Sequence, residues 1–148
     1  YELTFAHPPE LGRVLIEKSQ YARMLLNLVT NARDAMPGGG PIAVRLAPVK
    51  LTGNPAYTGR FVLLEVADRG TGIADAARPH LFEPFFTTKE KGTGLGLAVV
   101  RQVAQRAGGL VRVESAPGNG ATFRVLLPRV GASTGATALH EVPPELHG

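Results

Sequence analysis

Residues 60–72 read RFVLLEVADRGTG. The run from Phe61 to Ala67 is almost unbroken apolar, the pattern of a strand buried at the centre of a sheet rather than at its edge. It ends on Asp68, and glycines follow at 70 and 72. A carboxylate at a strand end can accept a hydrogen bond from an amino group, and the two glycines let a backbone come close to a flat ligand. Taken alone the same letters also describe a plain turn.

Working outward, PIAVRLAPVKL (41–51) alternates, with Ile42, Val44 and Leu46 on one face, and KLTGNPAYTGR (50–60) is a turn-rich connector. YELTFA (1–6) and RVLIE (13–17) read as further strands, separated by HPPELG. Residues 20–36 are helical: Tyr21, Met24, Leu25, Leu28, Ala32 and Met36 recur at three- and four-residue steps, and Pro37 with three glycines ends the pattern. A second helix is expected over 95–107, closed by Gly108 and Gly109. LVRVESAPGNGATFRVLLP (110–128) is a strand, a turn and a strand. Strands linked mostly as neighbours, with two long helices, predict an α+β two-layer sandwich: a mixed sheet with helices on one face.

The 148 residues fit one domain, expected over 1–130, and the small, polar, Pro-rich residues 131–148 read as a flexible tail or linker. The strand-like beginning suggests a piece of a longer protein. There is no cysteine, hence no disulfide framework or thiolate site. No apolar run reaches the ~20 residues a bilayer requires. The net charge of +4 comes from arginines scattered singly, without a basic run, so nucleic acid is not an expected partner.

On the first helix Asn27, Asn31 and Asp34 are spaced four and three apart and share one edge. Oxygen donors so placed suit Mg²⁺, which binds through one or two protein oxygens and completes its shell with water and phosphate. The stretch FEPFFTTKEKGTGLGL (82–97) passes from aromatics through Lys89 and Lys91 to Gly92, Gly94 and Gly96, and then into a helix. Glycines at a helix N-terminus expose backbone N–H groups that favour an anion. No strand immediately precedes them, as a dinucleotide fingerprint requires, and no G-K-[ST] follows, as a P-loop requires. Magnesium ligands, an amino-group acceptor and an anion cradle share one guest, a purine nucleoside triphosphate.

The order of these segments resembles the two-component sensor histidine kinases. NLVTNARDAM is similar to their N box, DRGTG to their G1 box, FEPFF to their F box, GTGLGL to their G2 box and GATFRVLLP to the strand that follows. The likeness covers about residues 1–129, nearest to the nitrogen-regulatory branch, and departs from it at Arg69, where the family has Asn. It implies the ATP-binding sandwich of the Bergerat type, shared with gyrase, the heat-shock chaperone and mismatch-repair ATPases. It implies Asn31 as the Mg²⁺ ligand, Asp68 on the adenine amino group, and Gly70, Gly72 and Ile73 beside the ring. Asn27, Asp34, Phe82, Lys91, Gly92, Thr93, Gly94, Leu95, Gly96, Leu97 and Thr122 complete the implied nucleotide contacts. A mobile lid is implied over residues 84–93, with Lys89 swinging toward phosphate and Phe82, Phe85 and Phe86 anchoring it to the core.

The implied activity is γ-phosphoryl transfer from Mg-ATP to a histidine, with an ATPase or ATP-driven clamp as the rival. The hydrolytic relatives place a Glu four residues before the magnesium Asn. Here Asn27 stands there, and a carboxamide cannot take a proton from water. His140 sits in LHEV, but Pro143 and Pro144 forbid the long helix an acceptor histidine occupies. The resemblance therefore implies an upstream dimerisation and histidine-acceptor domain and a response regulator as partners. It further implies a homodimeric parent protein, a monomeric fragment and a cytoplasmic location.

Overall fold

The computed structural model describes residues 1–6, 13–53, 55, 58–86, 96–115 and 117–130. In chain order the elements are β1 (Glu2–Ala6), β2 (Arg13–Val14), α1 (Lys18–Asp34), β3 (Pro41–Leu51), β4 (Gly59–Asp68), a short 3-10 turn (Arg78–His80), α2 (Gly96–Arg106), β5 (Leu110–Ser115) and β6 (Ala121–Val130). The sheet order is β1-β3-β4-β6-β2, with β5 also on β6. β1 runs parallel to β3 and every other pairing is antiparallel, so the sheet is mixed, as expected.

β4 is the middle of that order. Its apolar run serves two faces. Val62, Leu64 and Val66 join the main core, while Phe61 and Leu63 are buried on the opposite face with Leu126. This second, smaller cluster, packed by Val49, Leu51 and Leu110, is the physical reason the run lacks alternation. β3 does alternate, and Ile42, Val44 and Leu46 point into the main core.

Both helices lie on that core face. Tyr21, Met24, Leu28 and Ala32 of α1 and Val100, Val103 and Ala104 of α2 are buried there against Phe123, Val125 and Leu127 of β6. α1 starts two residues before the expected 20 and ends at Asp34, with Ala35 as its C-cap; Met36 is buried beyond the helix. α2 ends in a Schellman arrangement: the Gly109 N–H donates to the Ala104 carbonyl at 2.8 Å and the Gly108 N–H to that of Gln105 at 3.0 Å. Gly108 supplies the left-handed φ of +81° that this closure needs. RVLIE forms only the two-residue β2, although Ile16 beyond it is buried. Among the described residues no helix is long and apolar enough to cross a membrane.

Candidate functional site

The C-terminal end of α1, the loop after β4 and the start of β6 converge on a cavity of about 1060 Å³. Its walls include Asn31 and Asp34 from α1, Asp68, Gly72 and Ile73 from the β4 end, Leu97 from α2, and Ala121 and Phe123 from β6. The mix of apolar walls with a few convergent polar groups is that of a small-molecule site.

Asp68 anchors the polar side. Among the described residues it is the one buried charged side chain, 7% exposed. Its Oδ1 accepts the Gly70 N–H at 2.8 Å and the Ala121 N–H at 3.2 Å. Oδ2 has no hydrogen bond among the described residues. Burial raises the carboxyl above its ordinary value of 3.8, and the two backbone donors pull the other way without cancelling it. An acceptor with a free oxygen is thus built into the cavity wall.

Gly70 is needed for a reason the sequence did not show. A Cβ there would lie 2.3 Å from the Ala35 carbonyl oxygen, so the loop passes directly under the end of α1. The close approach is to the protein's own helix cap, reinforced by the Thr71 N–H donating to the same Ala35 carbonyl at 3.3 Å. Gly72 and Ile73, not Gly70, line the cavity.

Of the three oxygen-bearing residues on α1, Asn31 and Asp34 line the cavity. The Asn31 carboxamide has no hydrogen bond among the described residues, and Asp34 pairs with Arg33 at 3.3 Å. Asn27 is one turn away and donates to the Gly96 carbonyl at 3.4 Å, tying α1 to the first residue of α2. Thr122 is not among the residues that line the cavity. Its neighbours Ala121 and Phe123 line the cavity, and strand alternation carries Thr122 to the opposite face of the sheet. Phe82 stands behind the wall, edge-on to Phe123 with ring centres 6.3 Å apart. Phe86 lies 5.5 Å from the His80 ring. Phe85 does not anchor anything to the core: it is 76% exposed, at a left-handed φ of +68°. Lys89, Lys91, Gly92, Thr93, Gly94 and Leu95 lie outside the described residues, as do 87–93 of the expected lid region and the whole of 131–148.

Sequence reasoning missed Tyr1, Ala121 and Phe123 as cavity residues. The Tyr1 hydroxyl donates to the Met36 carbonyl at 2.7 Å, just past the end of α1, a contact across 35 positions with no local pattern to reveal it.

The sequence and the fold both have counterparts among known proteins. Residues 17–131 match the family described as histidine kinase-, DNA gyrase B- and HSP90-like ATPase. The chain belongs to that family. It is 41% identical over 137 residues to the sensor kinase CckA of Brucella abortus, and 41% identical over 126 residues to the sensor histidine kinase ZraS of Klebsiella oxytoca. These alignments take in 87% and 85% of the chain but only 14% and 26% of those relatives, so the chain spans a small part of their length. In three dimensions it resembles the mycobacterial sensor histidine kinase MprB, with 32% identity and a TM-score of 0.69 over 86% of this chain and 81% of that one. It also resembles full-length ShkA, solved in complex with AMPPNP, with 30% identity and a TM-score of 0.70 over 88% of this chain and 26% of that one.

Proposed function

We propose that the chain binds Mg-ATP and transfers its γ-phosphoryl group to a histidine on an upstream dimerisation domain, for relay to a response regulator. Residues 1–130 would be the catalytic unit and 131–148 a linker or tail. The setting would be a cytoplasmic, homodimeric parent protein in which this part is monomeric. The observation that carries the reading is the buried Asp68, whose Oδ1 is held by two backbone N–H groups while Oδ2 is left to accept. A group of this kind recognises an exocyclic amine such as that of adenine. The likeness to ShkA, which was solved in complex with AMPPNP, supports a nucleotide as the ligand.

The donor set fits magnesium. Asn31 offers a neutral oxygen on the cavity wall with no competing hydrogen bond among the described residues, and Asp34 offers an anionic one nearby. Asn31 would be the ligand. Bound Mg²⁺ supplies charge neutralisation on the phosphates. The protein's own task is positioning. Asp68 fixes the base, Gly72 and Ile73 flank it, and α1 presents Asn31 toward the phosphate end. In the transfer, an imidazole nitrogen forms the P–N bond as the bond from γ-phosphorus to the bridging oxygen breaks, and ADP departs. Hydrolysis is disfavoured because Asn27 is no base for water, and its amide is already engaged with the Gly96 carbonyl.

The test is incubation with Mg-ATP, alone and with the histidine-bearing helical segment of the parent protein. The expected result is an acid-labile, base-stable phosphoryl label on that segment, lost in Asn31→Ala, and slow turnover without it. Brisk ATP hydrolysis by the chain alone, with no label on the segment, overturns transfer in favour of an ATPase or clamp.

A further inference from the structure

The loop that presents Asp68, Gly72 and Ile73 has no regular structure of its own, so something else must hold it. The turn between β5 and β6 does so. The Gly118 N–H donates to the Thr71 carbonyl at 2.7 Å and the Gly120 N–H to the Gly70 carbonyl at 3.1 Å. Both donors are glycines at left-handed φ, +82° and +76°, and a Cβ on Gly120 would run into the Asp68 carbonyl. Two side chains add what the backbone alone cannot.

Ser115, the last residue of β5, uses its hydroxyl in both directions. Oγ accepts the Ile73 N–H at 2.9 Å and donates to the Gly120 carbonyl at 2.6 Å. One half-buried atom therefore links the cavity loop to the turn beside it, and its proton is fixed by the bond it makes. Arg78 then holds Ser115. Its Nη1 donates to the Ser115 carbonyl at 2.6 Å and its Nη2 to the Val113 carbonyl at 3.1 Å. Strand β5 pairs with β6, and the guanidinium takes two carbonyls, two residues apart, as a neighbouring strand would. A planar fork can span that pair, whereas a point charge such as lysine cannot hold both.

We propose that Ser115 and Arg78 are positioning residues for base recognition: through Ile73 and Gly120 they fix the loop after β4, so that the Asp68 carboxylate and the Gly72–Ile73 wall are set for adenine before it binds. This rests on the nucleotide reading of the cavity. Neither residue is on the cavity wall, so both act through the loop. A loosened loop loses discrimination between bases, because the phosphate end of the nucleotide is held elsewhere, by α1.

The experiment is titration of the whole chain with Mg-ATP and Mg-GTP, alongside thermal melts, for the wild type, Ser115→Ala, Ser115→Thr and Arg78→Lys. Ser115→Ala and Arg78→Lys are expected to weaken ATP about tenfold and leave GTP unchanged, the scale of one lost hydrogen bond and the order it imposes. Ser115→Thr, which keeps the hydroxyl, is expected to hold the wild-type ATP:GTP ratio. A wild type selective for ATP, with Ser115→Ala or Arg78→Lys folded and equally selective, overturns this proposal and leaves the nucleotide reading standing. So does an equal loss for both nucleotides, which would mark a structural role only. A wild type that binds ATP and GTP alike overturns the adenine reading itself, and this proposal with it.

Discussion

Asp68 holds two backbone donors on one oxygen and keeps the other for a ligand. Substituting it by Asn keeps a carbonyl oxygen for those donors but puts an NH2 donor where the ligand-facing acceptor oxygen stood. Losing a charge-assisted hydrogen bond costs about 1.5–3 kcal/mol, so Asp68→Asn should lower ATP affinity roughly ten- to a hundredfold in a direct titration. The same group gives the binding a pH dependence. Because burial raises its pKa above 3.8, ATP affinity should begin to fall on acidification earlier than an ordinary carboxylate would dictate, and Asp68→Asn should abolish that early fall. Asp68 was legible in the sequence because a strand signal, a carboxylate and two glycines are consecutive. Ser115 was not, because its hydroxyl meets a backbone N–H 42 positions away. Thr122 faces away from the wall that Ala121 and Phe123 form, because in a strand one step along the chain changes the face.

Helix α1 joins the core to the site, and its residues separate cleanly by face. Leu28 is fully buried and Leu26, two positions earlier, is 64% exposed. Leu28→Ala should destabilise the fold by about 2–5 kcal/mol, since the cavity cannot fully collapse. Leu26→Ala should change stability by less than about 0.5 kcal/mol. Thermal melts of the two variants side by side check the assignment of faces, and equal losses would refute it. The far end of α1 carries a second test. Gly70→Ala puts a methyl 2.3 Å from the Ala35 carbonyl oxygen, backbone against backbone, so the loop must shift. Overpacking of this kind costs about 1–3 kcal/mol, and the shift should weaken ATP binding as well, because Asp68 and Ile73 move with the loop. The periodicity of α1 was plain in the sequence. The loop's contact with its end was not, since a glycine needed for helix clearance and one needed for ligand clearance look alike on paper.

Across the whole sheet, two acids answer to pH in opposite ways, and together they test how the molecule balances site against scaffold. Glu65 of β4 lies between Arg45 of β3 and Arg124 of β6, at 3.2 and 2.9 Å. Burial alone would raise its pKa, but hydrogen bonds and charge from the two arginines outweigh that and hold it below 4.5. A depressed carboxylate contributes stability above its unfolded value and loses it as pH falls through the folded value. Asp68 is the reverse case: its folded pKa is raised, so the stability it contributes is present at acid pH and is lost as pH rises through that value. At neutral pH the fold therefore bears the cost of keeping a buried carboxylate ionised. Melts carried from neutral pH to well below 4.5 should show the gap between wild type and Glu65→Gln closing only once the pH falls below 4.5. Over the same range, without nucleotide, Asp68→Asn should melt at or above the wild type near neutrality, and the wild type should gain on it as pH falls. Parallel trends in the two variants would refute the assignment. Opposite trends, with Asp68→Asn at least as stable as the wild type yet weaker for ATP, would mean that the carboxylate is kept for the ligand and not for the fold.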